Sequence, residues 1–149
     1  MGLVANSASL CHSLMLKIKA DKNLMPKNQA VMIVDDYPEL LHTVARMLRR
    51  SGYSRVFQAT NGQECVQLAQ VNVIYTILLD ISMPGISGLD ACRILRSTAM
   101  NKHAHIIACT AHANAQHRET FFEAGFNDIL HKPFGYEELM EKLTASPNN

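Results

Sequence analysis

An α/β domain with one doubly wound sheet of five parallel strands, sandwiched between two layers of helices, is the architecture this sequence predicts. Three observations point to it. From residue 29 onward, apolar runs of strand length alternate with stretches of helical periodicity, the pattern of stacked βαβ units. The runs Ala30–Val34 and, but for Thr76, Ile74–Leu79 are continuously apolar instead of alternating, as strands covered on both faces are. Each of these runs passes abruptly into acids, Asp35-Asp36 and Asp80, and then into a turn containing proline, Tyr37-Pro38 or Ile81 to Gly88. In open α/β sheets the functional crevice lies beyond the carboxyl ends of the strands, so Asp80 is expected to be displayed there, outside its strand.

The elements follow in order. After the first strand, Pro38 marks a helix start, and Leu40, Leu41, Val44, Ala45 and Leu48 share one helical face until Ser51-Gly52 stops it. Arg55 to Ala59 is the second strand, and Asn61-Gly62 opens a short helix through Ala69. The strand leading to Asp80 is third. Ser87 or Gly88 then opens a helix carrying Leu89, Cys92 and Leu95. Ala104 to Cys109 reads as the fourth strand, followed by Thr110-Ala111-His112 and a helix ending at Ala124-Gly125. Asp128 to His131 is the fifth strand, closed by Lys132-Pro133-Phe134. The last helix, Tyr136 to Leu143, turns Leu139, Met140 and Leu143 to the sheet and leaves Glu137, Glu138 and Glu141 outside.

With 149 residues, 48% of them apolar, the chain can bury one core, which is assigned to residues 29–149. Residues 1–28 read as an N-terminal extension. In it Leu10, Leu14 and Ile18 allow a short amphipathic helix capped by Ser7 or Ser9, with a frayed tail as the alternative. A formal net charge of +1, with Lys and Arg dispersed, gives no footprint for nucleic acid or a membrane surface, so protein partners are expected. Cys11, Cys65, Cys92 and Cys109 form no metal-binding spacing and read as reduced small hydrophobes of a reducing compartment. No run is long enough to span a bilayer, and Asn6 stands where a myristoylation motif wants Ser or Thr, so a cytoplasmic location is expected. Only Thr144 to Asn149 follow the last helix, which leaves no room for an output domain: the chain is expected to act through another protein, or as a segment of a longer one.

Asp35, Asp36 and Asp80 would converge if their strands are neighbours, and such a cluster calls for a cation, with Mg²⁺ the natural candidate. Thr110 and Lys132 follow the fourth and fifth strands, so only the second strand end is silent. Acids, a hydroxyl and a fixed ammonium around one carboxylate suit phosphoryl transfer to that carboxylate, which depends mainly on positioning and charge stabilisation. Singly, each is an ordinary turn or cap residue; their joint placement carries the argument.

Val34-Asp35-Asp36, Asp80-Ile81-Ser82-Met83-Pro84 with Gly88, Thr110-Ala111 and Lys132-Pro133-Phe134 together resemble the signature of response-regulator receiver domains of two-component signalling, over residues 29 to about 145. The resemblance implies a flavodoxin-like (βα)5 fold. It makes Asp80 the phosphoacceptor, taking a phosphoryl group from phosphohistidine on a sensor histidine kinase or histidine phosphotransfer protein, and acting on a downstream effector protein. It gives Asp36 to Mg²⁺ directly, Asp35 chiefly through water, and adds Asp80 and the backbone carbonyl of Ser82. Lys132 would pair with the phosphoryl group and Thr110 would turn its hydroxyl onto it. Ala111 would leave the entrance open, and the Lys132-Pro133 bond would be cis.

The chain departs from the family pattern at Ile129, where an aromatic ring usually takes part in the switch, so Thr110 and loop motion are left to carry the signal. Ser82 and His112 occupy the positions that tune phosphoryl lifetime in the family, His112 either orienting water or facing solvent. By the same analogy Leu40, His42 and Thr43 help choose the partner. The run Ile106 to His112 also resembles receivers of hybrid histidine kinases. His12, His42, His103, His105, His117 and His131 lack the spacing of a metal or catalytic site. Two rivals remain: a receiver fold that binds partners without phosphorylation, and a Mg²⁺-dependent phosphatase, for which Ser82 stands where a second acid is wanted.

Overall fold

A computed structural model describes residues 27–145. The predicted extension, with its possible helix, Cys11 and His12, lies almost wholly outside the described residues. The elements are β1 (Val31–Val34), α1 (Pro38–Arg50), β2 (Val56–Ala59), α2 (Gly62–Val71), β3 (Thr76–Asp80), α3 (Gly88–Ser97), β4 (His105–Thr110), α4 (Ala115–Ala124), β5 (Asp128–His131) and α5 (Tyr136–Thr144). The strands form one parallel sheet in the order β2-β1-β3-β4-β5. Chain order reverses between β1 and β3, so the crevice of this open sheet opens where Asp35, Asp36 and Asp80 emerge.

Alternation along the strands divides the core between the two faces. Met32, Val34, Ile77, Leu79, Ile106 and Ala108 meet Cys65 and Ala69 of α2, Cys92 and Leu95 of α3, and Phe121 of α4. Val31, Ile33, Leu78 and Ile107 meet Leu41, Val44 and Leu48 of α1 and Leu139 and Leu143 of α5. Three helices cover one face and two the other. Each fully buried Leu or Ile here contributes on the order of 2 kcal/mol to holding a helix on the sheet.

Helix starts fall where the sequence places them at Pro38, Asn61-Gly62, Ser87 and Tyr136, and the structure adds Asn114 as the cap of α4. Pro38 opens α1, while the side chains of Asn61, Ser87 and Asn114 accept the backbone N–H of Glu64, Asp90 and His117. Gly125 closes α4 at φ 111°, the left-handed conformation that glycine adopts without strain.

The strands end later than the sequence predicts, which corrects the expectation that Asp80 stands clear of its strand. Asp80 is the last residue of β3, in register with Cys109, and Thr110 is the last of β4, opposite His131. Each is only 5% exposed. The physical reason is continuity of the ladder: β4 and β5 run on beside them, and burial of the Asp80 carboxylate is offset by an ion pair.

Candidate phosphoacceptor site

Three loops leave the same edge of the sheet and build the site. After β1, Asp35 is buried and turns back on its loop, its Oδ1 accepting the Tyr37 N–H at 2.9 Å, while Asp36 is exposed. After β3, the Ser82 N–H donates to Asp80 Oδ1 at 3.2 Å. This turn is held close by Gly88, whose N–H donates to the Ile81 carbonyl at 3.1 Å. A Cβ on Gly88 would lie 2.2 Å from the Asp80 carbonyl oxygen, so only glycine lets α3 approach the strand end.

After β5 comes the Lys132-Pro133 peptide, which is cis, and the Lys132 ammonium stands among the acids. Lys132 Nζ donates to Asp35 Oδ2 at 2.6 Å and stands 3.3 Å from Asp80 Oδ1. Burial pushes the Asp80 carboxyl above the usual aspartate range and Asp35 pushes it further, while Lys132 and the Ser82 N–H pull it back only in part. Burial pulls the Lys132 ammonium down, but its bond to Asp35 and the charges of both aspartates prevail and leave it raised. The Cys109 thiol lies within reach of these charges; its pKa is pushed up to about 12, chiefly by burial, so it is a neutral wall.

Oxygens of Asp35, Asp36 and Asp80 come within 4.8 Å of one another. Three carboxylates against one ammonium leave a formal excess of two negative charges, 3 − 1 = 2, which a divalent cation would balance. An all-oxygen donor set fits a hard ion such as Mg²⁺.

Thr110 reaches the site edge with its hydroxyl engaged: Oγ1 donates to the His112 carbonyl at 3.1 Å and accepts the His112 N–H at 3.0 Å. Ser82, Ala111 and His112 are exposed beside it, while Ile129 is buried beneath the sheet's surface. Leu40, Ala111, Lys132, Pro133 and Phe134 line an apolar recess of about 280 Å³ beside the ammonium, of which Phe134 was signalled only as the end of the Lys-Pro-Phe run. His42 and Thr43 are exposed on α1. His105 is buried, and neither ring nitrogen has a hydrogen-bond partner among the described residues.

Residues 31–144 match the family model described as response regulator receiver domain. The response regulator MprA of Mycobacterium sp. (strain KMS) is 36% identical over 115 residues, covering 77% of this chain and 49% of the relative. The chain thus spans about half the length of MprA and of the transcriptional regulatory protein YvrH of Bacillus subtilis. Among solved structures, the receiver domain of the sensor histidine kinase PA1611 from Pseudomonas aeruginosa, with magnesium in its active site cleft, aligns with a TM-score of 0.71 at 34% identity, covering 80% of this chain and 99% of that one. Chemotaxis protein CheY4 of Vibrio cholerae aligns with a TM-score of 0.74 at 27% identity, covering 77% and 95%.

Proposed function

Since the chain belongs to the response-regulator receiver domains of two-component signalling, we propose that it is a phosphoacceptor whose acceptor is Asp80. The convergence of Asp35, Asp36 and Asp80 on one ammonium carries this reading. An Asp80 carboxylate oxygen attacks the phosphorus of a phosphohistidine. The P–N bond breaks, its electron pair returns to the imidazole nitrogen, which takes up a proton, and the new P–O bond makes an acyl phosphate on Asp80. Asp35, Asp36, Asp80 and the Ser82 carbonyl would hold Mg²⁺, which supplies positive charge to the phosphoryl oxygens; the magnesium described for the PA1611 receiver supports this assignment.

Lys132 is poised to exchange Asp35 or Asp80 for a phosphoryl oxygen. Thr110 exchanges its bond to the His112 carbonyl for the same group, and that exchange moves the loop after β4. With Ile129 in place of a ring, the hydroxyl and the loop carry the switch. Exposed Ala111 leaves the donor's approach open, Pro133 fixes Lys132, and Ser82 and His112 flank the approach of hydrolytic water. The chain itself catalyses uptake and loss of the group and has no further enzymatic task. Its donor is a sensor histidine kinase or a histidine phosphotransfer protein in the cytoplasm, its recipient an effector protein or an effector segment, and the domain comprises residues 29–149 after a separate extension.

Intact-protein mass after incubation with Mg²⁺ and acetyl phosphate tests the reading. One phosphoryl group gained by the parent and none by Asp80→Asn is the expected result. A folded parent that gains nothing from either acetyl phosphate or a phosphohistidine protein would contradict it and favour a module that binds without phosphorylation.

A further inference from the structure

On the sheet face covered by α1 and α5, a groove of about 510 Å³ is lined by Thr43, Arg46, Met47 and Arg50 of α1 and by Tyr136 of α5. Met47, the half-exposed Tyr136 ring and the arginine stems give it apolar walls. Neither Arg46 nor Arg50 forms an ion pair among the described residues. The Tyr136 hydroxyl lies 2.8 Å from that of Ser51, the C-cap of α1, so the groove ends beside the turn that closes this helix. The N-terminal extension joins the domain at that turn. The Lys27 carbonyl accepts the Ser54 N–H at 3.1 Å, and the Lys27 side chain lies so close to Gly52 that a Cβ there would stand 2.9 Å from Lys27 Cδ.

Residues 1–26 precede this anchor, and their sequence carries one apolar stripe. Wound as a helix, Leu10, Leu14 and Ile18 fall on one face, and Asp21, the single acid among residues 1–27, falls on the same face. Residues 10–21 would make a rod of about 18 Å, close to the roughly 20 Å of α1. Residues 22–26 span up to about 17 Å when extended, enough to lead from Lys27 back to Arg50, two positions before Gly52. The stripe then runs up the groove from Arg50 towards Thr43, and Asp21, nearest the anchor, comes to the Arg50 end and gives that guanidinium an acid. So short a tether holds the segment at an effective concentration on the order of mM, at which even a weak apolar contact is populated. From the groove, the anchor at its end and this stripe, we propose that residues 10–21 of the same chain occupy the α1/α5 groove as an amphipathic helix. The contact does not involve Asp80, so it stands or falls apart from the phosphoacceptor reading.

Paramagnetic broadening of backbone amide signals in the full chain tests this. Cys65, Cys92 and Cys109 are buried, so in a chain carrying Cys11→Ser a nitroxide attaches at Ala8→Cys, a position off the stripe. Left undocked, the label would wander over a radius of roughly 25 Å about Lys27 and favour no one surface. Selective loss of the Thr43, Arg46 and Met47 amide signals is expected, with recovery of those signals when Leu10→Asp and Leu14→Asp are added. Unchanged amide positions in the five strands report that both chains are folded. Broadening that is absent from the groove, or that persists with both aspartates in place, would overturn the proposal. A nitroxide-labelled chain without isotope, mixed with an isotope-labelled chain without nitroxide, reports on contact between copies. Groove signals intact in the mixture are expected; their loss there would hand the groove to another copy and overturn occupation by the same chain.

Discussion

Lys132 compensates two buried carboxylates at once, at 2.6 and 3.3 Å, and its loss is felt at both. Replacing it with Ala leaves Asp35 and Asp80 without a cation in metal-free buffer. The expected cost is about 2–3 kcal/mol in urea unfolding, below the full value for a buried pair because the Lys132 side chain is still 22% exposed. Added Mg²⁺ should recover part of it. Equal stability of parent and Lys132→Ala would show that the pair contributes nothing. These residues were legible in the sequence because each polar group follows an apolar strand. Their burial was not, since a carboxylate reads as a strand end unless the ammonium that offsets it, 52 positions on from Asp80 (132 − 80), is known to stand beside it. The same holds for Thr110, whose hydroxyl is already committed to His112.

At the scale of elements, α3 and β4 each hold a position that sequence pattern does not price. Gly88→Ala forces a methyl group to within 2.2 Å of the Asp80 carbonyl, so α3 must withdraw from the phosphoacceptor turn. A loss of about 2 kcal/mol or more and slower phosphoryl uptake are expected; unchanged uptake would mean that the turn keeps its shape without this contact. His105, at the start of β4, is buried, and its pKa is lowered chiefly by that burial, with Asp128 opposing. Its folded value lies below the unfolded value of about 6.5, so the unfolded chain binds the proton first. Stability is therefore whole above about pH 6.5 and is lost as pH falls through the folded value, by up to ~1.4 kcal/mol per pH unit. Chemical unfolding across that range should give a flatter profile for His105→Leu than for the parent; parallel profiles would remove His105 as the cause. Helix starts were readable from Pro38, Asn61 and Ser87. The Asn101 side chain, which takes the Ile74 N–H at 2.7 Å and donates to the Ala69 and Asn72 carbonyls, was not, because nothing in sequence shows that two loops meet.

Across the whole molecule, the sheet order puts the acids of β1 and β3 at the switch point, and β4 and β5 bring Thr110 and Lys132 to the same edge from one side. The alternating strand and helix pattern and the order of the polar strand ends made that arrangement legible; the recess that Leu40 of α1 forms with Lys132, Pro133 and Phe134 depends on how distant segments meet and was not. Ile129 sits buried in β5, in register with Ala108 of β4, between the strands that carry Lys132 and Thr110 to the site. Ile129→Tyr is expected to strengthen the response of an effector to phosphorylation, read as the ratio of its affinities for the phosphorylated and free forms. An unchanged ratio would show that the hydroxyl and loop already carry the whole signal. The measurement that bears most directly on the account is transfer of a labelled phosphoryl group from an isolated phosphohistidine domain to the full chain, with Mg²⁺ or with chelator. Transfer that requires the metal, is lost in Asp80→Asn and is sharply slowed in Asp36→Asn is the expected result; label that still arrives on the Asp80→Asn chain would contradict it.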